Sequence, residues 1–189
     1  GIHPGESCGI DASLLLAKHY CESITTGKTE LDNIEIAIIP IYNVGGALAR
    51  NTSSRTNQIG PEEHGFRGNA LNYDLNRDFI KMDSRNTLSL VSFFTAFMPD
   101  LFFDTHTTNG ADYQHTMTLI SPQSSRLPAE LGEFASAVLD KSLYRKMQER
   151  NLPMTPYVNV HGDTPDKGFA FFDSPPRYSN GFVSLFNCL

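Results

Sequence analysis

Two histidines and a glutamate have the types and spacing of metal ligands. His3 and Glu6 stand three positions apart in H-P-G-E, and His106 follows about 100 positions later at the end of a short apolar run. A catalytic zinc ion takes three protein ligands, commonly imidazole nitrogens and a carboxylate oxygen, and keeps its fourth position open. These three residues meet that need. The H-x-x-E pair alone is common by chance, and a lone histidine at a strand end is more often structural.

A second group of polar residues lies between these candidates. Asn76 and Arg77 are adjacent, and Arg67 stands nine positions before Asn76. A guanidinium can hold a carboxylate through two parallel hydrogen bonds, and a neighbouring amide adds a donor. An isolated arginine is more often an ordinary surface residue, so the chemistry alone leaves both interpretations open.

Length and composition are those of an ordinary globular protein. The chain has 189 residues, 40% hydrophobic and 19% charged, which suits one core. The net charge of −6 argues against nucleic acid as the main partner. No apolar run approaches the roughly 20 residues that span a bilayer, so no membrane span is expected. Cys8, Cys21 and Cys188 show no C-x-x-C spacing and are predicted to be buried thiols rather than a disulfide framework.

Hydrophobic patterning predicts helices that alternate with strands. The helices are expected over residues 11–20, 84–98 and 128–150, with another beginning at 181. Residues 34–41 are β-branched and apolar on both faces, which predicts a buried parallel strand, and shorter strands are expected over 101–105 and 115–120. This alternation predicts a single α/β domain over residues 1–189 with a mostly parallel or mixed sheet. Sites in such folds lie beyond the carboxyl ends of strands.

The stretch 43–72 is long, polar and without periodicity. A loop of this length inside a compact domain is usually functional. Arg50, Arg55 and Asn57 lie in it and could line a cleft or face solvent equally well. Residues 107–109 follow His106 and are expected to shape the pocket.

The segment from Phe66 to Phe79, F-R-G-N-A-L-N-Y-D-L-N-R-D-F, makes the pattern specific. D-L-N-R-D-F resembles the D-L-N-R-[ND]-F signature of the M14 (funnelin) metallocarboxypeptidases. G-I-H-P-G-E resembles the first zinc motif of that family, and the run that ends in His106 resembles its last. The resemblance implies a three-layer α/β/α sandwich with a mixed, mostly parallel sheet. It also implies a zinc-dependent carboxypeptidase that hydrolyses the C-terminal peptide bond of peptides with metal-activated water.

The resemblance implies roles for the metal-site residues. His3, Glu6 and His106 would bind Zn²⁺. Asp74 matches the family aspartate that orients the first histidine ligand by accepting its other N–H.

The same resemblance assigns the remaining polar residues to the substrate. Asn76 and Arg77 would clamp the terminal carboxylate of a peptide. Arg67 has the spacing of the family arginine that polarises the scissile carbonyl and stabilises the developing oxyanion.

One family residue has no counterpart in this sequence. The glutamate that deprotonates water and passes the proton to the leaving amine lies, in the family, on a strand after the apolar helix near the end of the domain. This sequence ends at Leu189, inside or just after that helix. We therefore expect a fragment, incomplete at both ends, that binds zinc and hydrolyses little. The cellular compartment stays open, although secreted or periplasmic addresses are common among bacterial relatives.

Two alternatives to the peptidase stay open. One is a zinc amidohydrolase of small N-acyl amino acids, like succinylglutamate desuccinylase or aspartoacylase, which share the zinc triad and an arginine pair. The other is a non-catalytic relative that binds peptides. The full D-L-N-R-D-F motif favours the peptidase. The expected partner is therefore a peptide, or a small acylated amino acid if the amidohydrolase alternative holds.

Overall fold

The structure is a computed structural model that describes residues 1–27, 31–56 and 58–189. Helices and two small β-sheets confirm the predicted mixed α/β class. The chain forms two compact units. The first consists of Gly1–Asp78, Met82–Leu90 and Thr105–Gly110, and the second of Phe79–Lys81, Val91–Asp104 and Ala111–Leu189. The single domain over residues 1–189 stays a prediction.

The first unit opens with helix α1, Cys8–Thr25. The helix covers the predicted span 11–20 but begins three residues earlier, so Asp11 lies in its first turn. Gly9 allows α1 to approach Thr105 closely, because a Cβ at position 9 would lie 2.1 Å from Thr105 Oγ1. This contact brings the start of α1 against the residue that precedes His106.

The loop over residues 43–72 is ordered by hydrogen bonds around Asn43. This residue is fully buried, and its Oδ1 accepts from the Gly46 amide at 2.9 Å at the start of the short helix α2, Val44–Leu48. Its Nδ2 donates to the carbonyl oxygens of Ile2 and Arg67, each at 3.2 Å. Farther along the loop, Asn51 and His64 form an isolated antiparallel bridge.

The buried strand predicted over residues 34–41 is wrong. The segment pairs with no strand among the described residues, and the side chains of Ile34, Ile36, Ile39 and Ile41 are 42–59% exposed. A strand that is apolar on both faces forms only where neighbours supply its ladder bonds and cover those faces. Residues 101–105 are likewise not a strand, although the Phe102 amide donates to the Leu189 carbonyl oxygen at 2.6 Å.

Three predicted helical segments are confirmed. Helix α3 spans Arg85–Phe97, and Ser84 Oγ caps it by accepting from the Thr87 amide at 3.1 Å. The run predicted over 128–150 is helical as α4, Ala129–Phe134, then a π-helical turn, Ala135–Leu139, then α5, Asp140–Glu149. The apolar helix expected from Gly181 is short: α6 spans Ser179–Val183 and a 3₁₀ turn follows.

The described strands form two two-stranded sheets in the second unit. Strands β1, Met117–Leu119, and β2, Met154–Pro156, are parallel, and β1 confirms the strand expected within 115–120. Strands β3, Val158–Val160, and β4, Phe169–Phe171, are antiparallel. The larger sheet of a three-layer sandwich is not seen among the described residues, so that architecture stays a prediction.

The second unit is packed around aromatic rings. The ring centroids of Phe94, Phe182 and Phe186 lie 5.2–6.4 Å apart in tilted or edge-on arrangements, and Phe79 lies 5.5 Å from Phe182. Within the described part of the chain, no helix is long and apolar enough to cross a membrane.

The cysteines are free thiols, as expected, but only one is buried. Cys188 is buried, whereas Cys8 and Cys21 lie exposed on α1. A helix with one buried stripe leaves its remaining positions in solvent, and both cysteines fall on that side.

Candidate metal centre

A tight turn brings His3 and Glu6 together. The Glu6 amide donates to the His3 carbonyl oxygen at 2.9 Å, and His3 Nδ1 lies 3.1 Å from Glu6 Oε1. Both residues are buried. The turn therefore explains why the H-x-x-E spacing places two candidate ligands side by side.

The third candidate ligand comes from a distant part of the chain. His106 Nδ1 lies 2.8 Å from Glu6 Oε2, and its ring centroid is 4.9 Å from that of His3. The Thr107 amide also donates to Glu6 Oε2 at 2.9 Å. The His106 side chain is 27% exposed, so the cluster has a side that is open to solvent.

The donor atoms of His3, Glu6 and His106 suit a zinc ion. One ligand atom from each residue lies within 4.8 Å of the others, and the set supplies two imidazole nitrogens and one carboxylate oxygen. His3 Nε2 is 3.0 Å from Asp74 Oδ1, and an ionised carboxylate can only accept. With a zinc ion on Nδ1, the remaining proton of His3 would lie on Nε2, where Asp74 accepts it. Within the described ranges, these residues form the one cluster of this kind.

Asp74 accepts hydrogen bonds from Asn76 and Arg67 as well as from His3. Its Oδ1 also accepts from the Asn76 amide at 2.9 Å, while Oδ2 accepts from Arg67 Nε at 2.9 Å and lies 2.8 Å from Arg67 Nη2. Burial alone would raise the pKa of Asp74, but the hydrogen bond with His3 and the charge of Arg67 outweigh it and hold the pKa well below its usual range. Asp74 is therefore an ionised acceptor between His3 and Arg67.

Glu6 is also kept ionised. Burial would raise its pKa, but hydrogen bonds with His106 and His3, together with their charge, lower it well below the usual range. Arg55 Nη1 donates to Glu6 Oε1 at 3.1 Å, and Arg67 Nη1 lies 3.9 Å from the same oxygen. A metal ligand must be deprotonated before it binds, so this environment suits Glu6 to that task.

Arg67 reaches the edge of the cluster. Its Nη1 lies 3.3 Å from His3 Nδ1, and its side chain is 38% exposed. Asn43 holds its backbone and Asp74 holds its guanidinium, so the side chain is fixed at both ends while part of it faces solvent.

Asn76 and Arg77 lie on a 3₁₀ turn, Leu75–Arg77, directly after Asp74. Asn76 is buried, and its Nδ2 lies 3.2 Å from His106 Nε2. Arg77 Nη1 donates to the Asn76 carbonyl oxygen at 2.7 Å. The turn thus places the Asn76 side chain beside the third candidate ligand, and Arg77 follows it in the sequence.

All seven predicted site residues therefore meet in the first unit. Sequence reasoning missed the place of Arg55, which contacts Glu6 and Thr107. Arg50 donates instead to the Glu63 carbonyl oxygen, and Asn57 lies outside the described residues. No motif distinguishes Arg55 from Arg50, so only the path of the loop could identify it.

The comparisons with known proteins agree with the motifs. The family model Peptidase_M14, zinc carboxypeptidase, matches residues 1–164. No curated protein and no solved structure matched the chain. Because the family match spans most of the 189 residues, this chain belongs to the M14 family of zinc carboxypeptidases.

Proposed function

We propose that this protein acts as a zinc-dependent carboxypeptidase that hydrolyses the C-terminal peptide bond of a peptide. The proposal rests on one observation: the candidate zinc ligands lie next to the residues proposed to bind a carboxylate. Three candidate zinc ligands lie within 4.8 Å of one another, and Asn76, which is followed by Arg77, contacts one of them. A zinc carboxypeptidase needs a metal site beside a carboxylate-binding site, and membership of the M14 family supports the same reaction.

The proposed zinc ligands are His3, Glu6 and His106. Zinc held by such a set supplies Lewis acidity to a carbonyl oxygen and to water. The protein must hold the metal-binding atoms of these residues in the protonation states that bind zinc. Asp74 would keep the proton of His3 on Nε2 when zinc binds Nδ1, and Arg55 donates to Glu6 beside the same site.

Arg67 is proposed to stabilise the oxyanion that develops on the scissile carbonyl. Its guanidinium is fixed by Asp74, and its Nη1 lies close to His3 Nδ1. A donor that is already oriented where charge develops contributes more than a mobile one, because it needs no rearrangement during the reaction. The 38% exposure of the side chain leaves it accessible to a substrate.

Asn76 and Arg77 are proposed to bind the terminal carboxylate of the substrate. An arginine fork matches the two oxygens of a carboxylate, and an adjacent amide adds a further donor. The Arg77 guanidinium donates to the backbone carbonyl oxygen of Asn76, which holds it against the same turn. A substrate whose terminal carboxylate is blocked would lose these contacts.

The metal site is tested by zinc content. Elemental analysis of the purified protein should find about one zinc ion per chain. His3→Ala and His106→Ala should each lose it, because two protein ligands seldom retain zinc. His19→Ala removes an exposed histidine from α1 and should keep the metal. A folded wild-type protein without zinc would overturn the ligand assignment.

The carboxylate clamp is tested by substrate binding. Peptides with a free C-terminus should bind the zinc-loaded protein in calorimetry, and the same peptides with a C-terminal amide should not. Arg77→Met should remove that difference, whereas Arg50→Met, in the loop over residues 43–72 and bonded to the Glu63 carbonyl oxygen, should keep it. Equal binding of free and amidated peptides would contradict the proposal.

Hydrolysis then separates the two alternative functions from the peptidase. Cleavage of N-acyl amino acids with no action on dipeptides would identify a zinc amidohydrolase. Selective binding of free C-termini without turnover, in a protein that extends past Leu189 and contains the family glutamate, would identify a peptide-binding relative. Release of the C-terminal residue from a peptide would support the carboxypeptidase.

A further inference from the structure

Arg55 connects two parts of the candidate metal centre that are distant in sequence. Its Nη1 donates to Glu6 Oε1 at 3.1 Å. Its Nη2 donates to Thr107 Oγ1 and lies 3.5 Å from the Thr108 carbonyl oxygen. Glu6 and Thr107 are 49 and 52 positions away from Arg55, and Thr107 directly follows the third candidate ligand. One guanidinium therefore joins the second ligand to the segment that carries the third.

From this geometry we infer that Arg55 is a positioning residue for zinc, which ties Glu6 to the segment of His106 and so holds the ligands together. The inference rests on the metal site proposed above. A planar fork suits this role, because its two terminal nitrogens can bond separate partners in fixed directions. Gly5, in the turn between His3 and Glu6, leaves room for the Arg55 side chain, since a Cβ at position 5 would lie 3.0 Å from Arg55 Cγ.

The burial of Arg55 distinguishes it from a substrate-binding arginine. Its side chain is 12% exposed, against 38% for Arg67. A residue that binds substrate must reach the solvent side of the cluster, and Arg67 does so. The terminal nitrogens of Arg55 instead donate hydrogen bonds to Glu6, Thr107 and Thr108.

Fold stability alone does not explain the position of Arg55. Its Nε is buried and has no hydrogen-bond partner among the described residues. A buried donor without a partner destabilises the folded state. The bonds that Arg55 does make, to Glu6 and to the segment after His106, offset this cost, and both lie at the proposed ligands.

Two roles for Arg55 predict opposite effects on zinc affinity. A positive charge next to Glu6 repels a second cation, so a role through charge alone predicts tighter zinc binding when the arginine is removed. A positioning role predicts weaker binding, because Glu6 and the residues after His106 lose their shared partner. The direction of the change therefore decides between them.

The test is the dissociation constant of zinc from the full chain, measured by competition with a chromophoric chelator. Arg55→Met keeps the length of the side chain without its donors and should weaken zinc binding by about 10–100-fold. Arg55→Lys should also weaken it, because one ammonium group cannot bond both partners in the geometry of the fork. Arg50→Met is the matched control and should bind zinc like the wild type, since its guanidinium donates to the Glu63 carbonyl oxygen in its own loop.

The outcomes separate this inference from the proposed function. Unchanged or tighter zinc binding in Arg55→Met overturns the inference, and so does full affinity in Arg55→Lys, which would show that charge suffices. If the Arg55 variants do not fold, Thr107→Val decides: it removes one partner and keeps the charge, and unchanged affinity overturns the inference. A folded wild type that binds no zinc overturns the metal site itself, whatever the variants do.

Discussion

Asp74 offers a quantitative test of how the site is held. One carboxylate oxygen accepts from His3 and from the Asn76 amide, and the other accepts from two nitrogens of Arg67. Asp74→Asn leaves an acceptor on only one side and places an NH₂ group against donors on the other. Arg67 is the more exposed partner and can turn into water. We therefore expect the amide oxygen to stay with His3, and Arg67 to be released.

The expected magnitudes follow from these contacts. Asp74→Asn keeps the bond to His3 and loses an ion pair with partly exposed Arg67, so the free energy of unfolding should fall by only about 1 kcal/mol or less. Asp74→Ala leaves the His3 and Asn76 N–H groups without their acceptor and should cost about 2–4 kcal/mol. Loss of the partner that orients a ligand histidine weakens metal binding by about 10–100-fold, or about 1.4–2.7 kcal/mol. Zinc affinity should therefore decrease from wild type to Asp74→Asn to Asp74→Ala.

Two measurements on each variant test this order: chelator competition for zinc affinity, and urea unfolding of the metal-free protein for stability. Asp78→Asn is a matched control, because it makes the same change four positions later at a buried carboxylate that accepts from the Asp83 and Ser84 amides. It should lower stability and leave zinc affinity unchanged. Unchanged zinc affinity in Asp74→Ala, or weaker binding in Asp74→Asn than in Asp74→Ala, would refute the reasoning.

Two further predictions concern titratable groups away from the metal ligands. Burial would raise the pKa of Asp78, but hydrogen bonds from Ser84 and its neighbours outweigh it and lower the pKa, so the ionised form stabilises the fold. The free energy of unfolding should fall as the pH drops below about 4, and urea unfolding between about pH 6 and about pH 3 should show a smaller fall in Asp78→Asn; equal falls would contradict this. Cys188 is 1% exposed and burial raises its pKa to about 11, so a thiol reagent should label Cys8 and Cys21 rapidly and Cys188 only after unfolding. Three fast thiols in the native protein would refute that prediction.

The sequence predicted elements whose signals are local. Helices α1, α3 and the run 129–149 were identified because apolar periodicity and capping residues act within a few positions. The span 34–41 failed for the opposite reason. Its composition suits a strand, but a strand exists only through partners elsewhere in the chain, and composition does not report whether those partners pair with it.

In the candidate site, too, the sequence identified the residues that have a local signal or a motif and missed the one that has neither. The turn that joins His3 to Glu6 is local, and motif order identified His106, Asp74 and Arg67 across longer separations. Arg55 could not be found in this way. Its contacts depend on how a loop without periodicity returns to the site, and Arg50, five positions earlier, has the same chemistry but bonds elsewhere.

Hydrophobic patterning does not predict the structure of the loop over residues 43–72, because polar contacts order it. Asn43 is fully buried and bonds to Ile2, to Gly46 and to Arg67, so a single amide side chain fixes the residue before His3, the start of α2 and the backbone of the proposed oxyanion arginine. A buried amide is tolerated only when its donors and acceptors are satisfied. The geometry of the site therefore depends on hydrogen bonds from a few asparagine, aspartate and arginine side chains, which a count of apolar residues cannot reveal.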